Sequence, residues 1–176
     1  MNYKVLSTKI LDPESKKELN HSFYQYSEKD FIKIIPTDHY LSKIVCDSLI
    51  FTSQNAVQIF LKNSELKKYK SKKIFCVGDT SKSLLRKNKF RVENCFNDSS
   101  SLAKFITKNN KSDKFLYLCG KNRLKNIEEI LSNNNVDLIV EELYETKLLY
   151  EKVNCMYDFI LFYSPSGVES FIKNNF

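Results

Sequence analysis

Apolar and polar positions alternate along the chain in blocks rather than residue by residue. The segments 48–51, 74–77, 115–118 and 159–162 are almost uninterrupted apolar runs, which are typical of strands buried on both faces of a parallel sheet. Between such runs lie segments with apolar residues at helical spacing, as in residues 55–62. The pattern therefore predicts an α/β fold.

Few glycines and prolines punctuate the chain, so the limits of the elements come from the apolar runs and the polar gaps between them. Predicted strands cover residues 3–8, 31–35, 48–51, 74–77, 90–92, 115–118, 138–140, 143–148 and 159–162. Predicted helices cover residues 14–20, 55–62, 83–87 and 102–107, a segment with apolar Leu124, Ile127, Ile130 and Leu131, and a last segment after Pro165.

The composition is that of a folded protein with one or two small domains. Hydrophobic residues make up 42% of the 176 residues and charged residues 28%, which is enough apolar material for a core. The five cysteines lack CxxC spacing, and His21 and His39 lie far from them, so neither a metal site nor a disulfide framework is expected. Because we find no signal-peptide profile and no membrane-spanning run, we expect a soluble, cytoplasmic protein.

The formal charge of +7 favours an acidic partner: nucleic acid, anionic lipid or a small polyanionic substrate. Lysine is abundant throughout the chain, so composition alone explains the surplus without a dedicated partner. The basic run at residues 66–73 best supports an alternative function, a basic α/β module that binds an acidic ligand or nucleic acid without catalysis. Such a run is more often a solvated loop between a helix and a strand.

Polar turns follow four of the predicted strands, at residues 52–55, 78–81, 120–123 and 164–167. In open α/β sheets this carboxyl edge is where ligands usually bind, and helix amino termini there offer N–H groups to carboxylates or phosphates. Ser, Thr, Asn and Asp are also the ordinary N-cap residues, so one such turn indicates little. Four of them, one carrying two basic residues, favour an anion site.

Several nucleotide, metal and hydrolase motifs are absent from the sequence. We find no GxGxxG, GxxxxGK[ST], HExxH or GxSxG motif. A flavodoxin-like nucleotide domain is therefore the least favoured alternative, because it would lack a phosphate fingerprint.

The polar turns lie in segments that resemble signatures of the uroporphyrinogen-III synthase family, in the family's order. Residues 49–57 (LIFTSQNAV) are similar to its TSxnAV turn, residues 77–81 (VGDTS) to its VGxxT turn, residues 143–146 (LYET) to its vYxT segment, and residues 162–168 (FYSPSGV) to its SPSgv turn. Residues 5–8 (VLST) resemble its opening strand, and Arg123 lies near a position where the family usually has arginine. The resemblance extends over essentially the whole chain.

The resemblance implies two parallel-sheet α/β domains joined by a two-stranded antiparallel linker, with the active site in the cleft between them. The first domain would combine residues 1–35 with 146–176, and the second would cover 37–142. The linker strands would be about residues 31–35 and 143–148. Since the family continues past the SPSgv turn with another strand and helix, we expect an incomplete first domain with few strands and an open edge or apolar groove near its carboxyl terminus.

The resemblance also implies a cofactor-free lyase that closes hydroxymethylbilane into uroporphyrinogen III during haem biosynthesis. The substrate would lose its terminal hydroxyl as water, and ring D would attack through its substituted carbon, pass through a spiro intermediate and be inverted. The substrate carries an acetate and a propionate on every ring, so the protein's task is to hold a folded polyanion. We expect a monomer with this tetrapyrrole as partner, and no metal, nucleic acid or membrane.

Tyr144 is the candidate catalytic residue, because a neutral phenol can donate a hydrogen bond to the leaving hydroxyl. Its alternative role is plain packing in a strand. Candidate substrate-binding residues, whose N–H groups, hydroxyls or charge would bind carboxylates, are Thr52, Ser53, Gly78, Ser81, Arg123, Ser164 and Ser166. N-capping is the alternative sole role of at least one of the hydroxyl residues.

Overall fold

The fold is described from a computed structural model of the chain. It covers residues 3–19, 23–38, 44–63 and 66–176. The strands are β1 (Tyr3–Ser7), β2 (Tyr24–Glu28), β3 (Ile32–Pro36), β4 (Ser48–Phe51), β5 (Lys73–Val77), β6 (Val92–Phe96), β7 (Phe115–Gly120), β8 (Leu138–Leu148) and β9 (Phe159–Leu161). The helices are α1 (Pro13–Leu19), α2 (Gln54–Phe60), α3 (Asp79–Lys87), α4 (Ser99–Asn109), α5 (Asn126–Asn133) and α6 (Pro165–Asn175), with a 3-10 helix at Leu66–Tyr69.

The chain divides into two compact units, of which the first comprises Met1–Ile35 and Thr146–Phe176 and the second comprises Pro36–Glu145. The predicted mixed α/β fold with parallel sheets is confirmed, since strands within each unit pair in parallel. The chain leaves the first unit within β3 and returns to it within β8.

The first unit holds a three-stranded parallel sheet in the order β2–β1–β9. Its core packs Leu6 of β1 against Phe31 and Phe171, with the two aromatic ring centroids 5.2 Å apart. Two strands were predicted here and β2 was missed. The reason is its sequence, YQYSE, which is polar and only partly buried because β2 lies at the sheet edge. The expected incompleteness of this domain remains a prediction.

The larger sheet has the strand order β3–β8–β7–β4–β5–β6. Every residue of the central strands β4 and β7 is buried, as their uninterrupted apolar runs predicted. Because neighbouring strand residues point to opposite faces, Ile50 packs with Phe75 and with helices α4 and α5, whereas Phe51 packs against Phe60 of α2 with ring centroids 5.1 Å apart.

Three other predictions of local structure need correction. The helix predicted from Leu124 begins only at Asn126, and Leu124 is 81% exposed. Strand β6 begins at Val92 instead of Phe90, because the Phe90 side chain packs on Phe60 of α2 ahead of the strand. The extended segments 138–140 and 143–148 form one continuous strand, β8. The predicted helix end at Asn20, together with His21 and His39, lies outside the described residues.

Candidate active site

The carboxyl ends of β4, β5 and β7 lie at one edge of the larger sheet, because these strands run parallel. The second unit therefore gathers the turns of Thr52 and Ser53, of Gly78 and of Gly120 at this edge. Tyr144 joins them from β8, where it is the register partner of Gly120.

Ser53 and Tyr144 form a direct hydrogen bond although they are 91 residues apart in the sequence. Their hydroxyl oxygens are 2.9 Å apart, and Tyr144 is only 7% exposed. Ser53 is also the N-cap of α2, since its Oγ accepts a hydrogen bond from the backbone N–H of Asn55 at 3.1 Å. Burial raises the pKa of Tyr144, while hydrogen bonds to the side chains of Ser53 and Asn55 oppose that rise. The phenol therefore stays protonated at neutral pH.

Thr52 makes an equivalent bond to a second tyrosine, Tyr117 of β7. The two hydroxyl oxygens are 2.7 Å apart. Burial raises the pKa of Tyr117, and the hydrogen bond with Thr52 opposes the rise. The turn after β4 thus presents two successive hydroxyl residues, each fixed by a neutral tyrosine from another strand.

The backbone at Gly120 lies directly against the Tyr144 ring. A Cβ atom at Gly120 would lie 2.6 Å from Cζ of Tyr144 and 2.9 Å from its hydroxyl oxygen. The backbone N–H of Lys121 donates to the Tyr144 carbonyl at 2.8 Å. Tyr144 is therefore held by its main chain, by its ring face and by its hydroxyl.

Arg123 is only 14% exposed and is bound to two carboxylates. Its Nε donates to Glu128 at 2.8 Å, and its Nη1 donates to Glu142 at 2.7 Å and to the Gly120 carbonyl at 2.9 Å. Burial alone would lower the pKa of Arg123, but the hydrogen bonds to Glu142 and Glu128 raise it overall. Its charge is thus largely neutralised within the protein.

Gly78 has φ +83° and ψ 139°, a conformation that side-chain-bearing residues rarely adopt. Its N–H donates to the Phe96 carbonyl at 2.9 Å, which ties the turn to the end of β6. The following helix begins at Asp79, four residues earlier than predicted, and Ser81 is buried within it.

The first unit carries the other two candidate residues. Ser164 caps α6, where its Oγ accepts from the N–H of Gly167 at 3.2 Å, and Ser166 is partly buried in the first turn. A Cβ at Gly167 would lie 3.8 Å from Oγ1 of Thr8, whose hydroxyl donates to the Leu161 carbonyl at 2.8 Å. N-capping, which was expected for at least one of the hydroxyl residues, therefore occurs at Ser53 and at Ser164.

The structure brings Ser53 and Tyr144 into contact, places Thr52, Gly78, Ser81 and Arg123 in the same unit, and places Ser164 and Ser166 in the other. Sequence reasoning missed the partners of these residues, namely Asn55, Tyr117, Glu128 and Glu142. Only Asn55 could have been found, because it lies inside the TSQNAV segment. Among the described residues, no group of three potential ligands could hold a metal ion, and no helix is long and apolar enough to cross a membrane.

A family model described as uroporphyrinogen-III synthase HemD matches residues 17–175. Among solved structures, the chain is similar to uroporphyrinogen-III synthetase from Helicobacter pylori, with TM-score 0.71 and 20% identity over 99% of this chain and 78% of that one. It is also similar to a mutant uroporphyrinogen III synthase from the extremely thermophilic bacterium Thermus thermophilus, with TM-score 0.57 and 10% identity over 84% of this chain and 64% of that one. At such identities the structural likeness establishes the fold. No curated protein matches the chain.

Proposed function

Because this chain belongs to the uroporphyrinogen-III synthase family, we propose that it cyclises hydroxymethylbilane to uroporphyrinogen III, with inversion of ring D and loss of water. The observation that best supports this reaction is the bond between the buried Tyr144 hydroxyl and Ser53. The pair places a neutral phenol at the carboxyl edge of the sheet, where open α/β sheets bind their ligands.

The directions of the hydrogen bonds around Ser53 and Tyr144 allow Tyr144 to donate to a leaving group. The Asn55 N–H donates to Ser53 Oγ, so the Ser53 hydroxyl can donate to the Tyr144 oxygen, which leaves the phenolic proton available for another acceptor. In this arrangement Tyr144 donates a hydrogen bond to the departing hydroxyl while remaining neutral. The raised pKa of Tyr144 keeps that proton in place.

Substrate carboxylates would be bound by hydroxyls and backbone N–H groups, which need not change their own charge. We assign this role to Thr52, Ser53, Ser81, Ser164 and Ser166. Gly78 was expected among them, but its N–H already donates to the Phe96 carbonyl, so we assign it the role of shaping the turn. Arg123 was expected among them, but Glu128 and Glu142 already pair with its guanidinium. We therefore assign Arg123 a supporting role within the protein. Holding the two ends of the substrate together lowers the barrier by up to about 7–11 kcal/mol in the best oriented reactions.

We further propose that the two compact units act as the two domains of the family, with the crossing strands β3 and β8 as their linker. Two backbone hydrogen bonds support this: Thr37 N–H donates to the Leu143 carbonyl, and Leu149 N–H donates to the Phe31 carbonyl, both at 3.0 Å. The residue numbers rise along one segment as they fall along the other, which is the pattern of antiparallel pairing. A cytoplasmic, cofactor-free monomer is part of the same proposal.

The test is conversion of hydroxymethylbilane by the purified chain, followed by oxidation to porphyrins and chromatographic separation of the type III and type I isomers. We expect the type III isomer from the wild type and a 10- to 100-fold lower kcat for Tyr144→Phe. Because Phe keeps the ring, folding is little affected. Absence of type III product would overturn the proposed reaction, and wild-type kcat in Tyr144→Phe would overturn the role of the phenol.

A basic module that binds an acidic ligand or nucleic acid remains the competing function, supported by the charge of +7 and the basic run at residues 66–73. Such binding would weaken steeply with salt, because phosphate contacts release counterions. A titration with labelled single- and double-stranded DNA and RNA at 50 and 200 mM salt separates the two functions. We expect no salt-sensitive binding.

A further inference from the structure

The register of β7 and β8 shifts at the point where Tyr144 enters the site. Cys119 pairs with Glu142, but the next residue, Gly120, pairs with Tyr144, so Leu143 is an extra residue in β8. This is a β-bulge, a feature that re-aims side chains and is common beside active sites. Leu143 and Tyr144, the two residues at this shift, are both buried, at 0% and 7% exposure.

Gly120 leaves the space that the Tyr144 ring occupies. A Cβ at this position would lie 2.6 and 2.7 Å from two ring carbons and 2.9 Å from the phenol oxygen. Real Cβ atoms do not approach other atoms so closely, and the ring is buried, so the ring or the bulge would have to move. The Tyr144 hydroxyl can therefore occupy its position only because residue 120 has no side chain.

Arg123 fixes the other side of the same bulge. One nitrogen, Nη1, donates both to the Gly120 carbonyl at 2.9 Å and to Glu142, two residues before Tyr144, at 2.7 Å. The guanidinium therefore links the end of β7 to the start of the bulge in β8. Glu128 holds Nε from helix α5, and its Oε2 is buried with no hydrogen-bond partner among the described residues. The positive charge of Arg123 offsets the negative charge of this buried carboxylate.

We propose that Gly120 and Arg123 are positioning residues that hold the Tyr144 hydroxyl against Ser53. This role rests on the proposed function, because it acts on the reaction only through Tyr144. An arginine that bound a substrate carboxylate by its charge would chiefly affect KM. An arginine that shapes the bulge affects kcat, since the phenol must meet the leaving hydroxyl at hydrogen-bond distance.

Two variants distinguish positioning of the Tyr144 hydroxyl from direct binding of a substrate carboxylate. Gly120→Ala adds a Cβ atom that would clash with the Tyr144 ring. Arg123→Lys keeps the positive charge but cannot reproduce the planar fork that binds Glu128, Glu142 and the Gly120 carbonyl at once. For each we expect kcat to fall at least tenfold, with KM changed less than twofold. Arg91→Lys is the matched control: Arg91 pairs with Glu93 on an exposed surface, and wild-type kinetics are expected.

The decisive measurement combines both variants with Tyr144→Phe, which lacks the hydroxyl that is to be positioned. If Gly120 and Arg123 act through that hydroxyl, adding either change to Tyr144→Phe lowers kcat less than twofold further. A full tenfold further loss in the Tyr144→Phe background, or a KM effect alone, would overturn the proposal.

A readout without substrate keeps this test independent of the reaction. In protein labelled with ¹³C at tyrosine Cζ, the Tyr144 resonance is assigned by its loss in Tyr144→Phe. We expect Gly120→Ala and Arg123→Lys to move this resonance and to change its pH titration, and Arg91→Lys to leave both unchanged. An unmoved resonance in both site variants would refute the positioning role. If the resonance moves as expected but the wild type makes no type III product, the proposed function alone is refuted.

Discussion

Removing the Ser53 hydroxyl is the sharpest test of the local geometry, because this one oxygen serves two elements. Ser53 Oγ caps α2 by accepting from the Asn55 N–H, and it lies 2.9 Å from the Tyr144 oxygen. Ser53→Ala therefore removes an N-cap and leaves a buried phenol without that partner. Tyr144→Phe removes only the phenol and leaves the cap intact.

The magnitudes follow from these contacts. Loss of the cap costs about 1 kcal/mol, and an unsatisfied buried polar group costs about 1–3 kcal/mol. The hydrogen bond from Asn55 to Tyr144 reduces the second contribution, so we expect Ser53→Ala to cost about 2–3 kcal/mol in all. Tyr144→Phe should cost about 1 kcal/mol. In the double variant the phenol is gone and only the cap is missing, so the loss should be smaller than the sum by about 1–2 kcal/mol.

The assay is urea unfolding of the four proteins, followed by far-UV circular dichroism and checked for equal m values. Asp98→Ala is the matched control, because Asp98 caps α4 by accepting from the Ser101 N–H in the same way, and both of its carboxylate oxygens are engaged by Ser101. It should combine additively with Tyr144→Phe. If Ser53→Ala and Tyr144→Phe also add within about 0.3 kcal/mol, the two hydroxyls do not interact in solution and the hydrogen-bond order proposed for catalysis fails.

Two further predictions concern the framework of the second unit. Gly78→Ala should destabilise it by about 1–3 kcal/mol in urea unfolding, because φ +83° strains an alanine although no atom lies within 4 Å of the new Cβ. Burial alone would raise the pKa of Asp113, but hydrogen bonds from Ser48 and Lys73 lower it. The ionised Asp113 therefore adds stability above about pH 4, which is lost as pH falls through its lowered pKa. The stability difference from Asp113→Asn should shrink over that range.

The central part of the fold could be predicted because its signal is local. Strands β4 and β7 are buried on both faces, so each is a continuous apolar run that no solvent-facing residue interrupts. Edge strands lack that signal. β2 reads YQYSE, and β6 includes the polar residues Glu93 and Asn94 because one side of that strand has no neighbour among the described strands.

The sequence predicts which residues form the candidate site, but it does not predict their hydrogen-bond and ion-pair partners. The hydroxyl turns were found because they follow buried strands. The partners of Thr52 and Ser53 are tyrosines 65 and 91 residues away, and only the order of strands in the sheet decides that these particular tyrosines arrive there. The ion pairs of Arg123 were missed for the same reason: Glu142 reaches it across the β7–β8 pairing.

The register shift at Gly120 is a feature of the Tyr144 site that the apolar pattern could not predict. Neighbouring strand residues point to opposite faces, and in a sheet covered on both faces both can be buried, so the burial of Leu143 and Tyr144 does not distinguish packing from catalysis. The register shift makes Tyr144 the partner of Gly120, and the Tyr144 ring occupies the space that a Cβ at Gly120 would need. The catalytic role that we propose for Tyr144 is therefore compatible with its packing. The ring packs against Gly120, and in that position its hydroxyl oxygen lies 2.9 Å from the hydroxyl oxygen of Ser53.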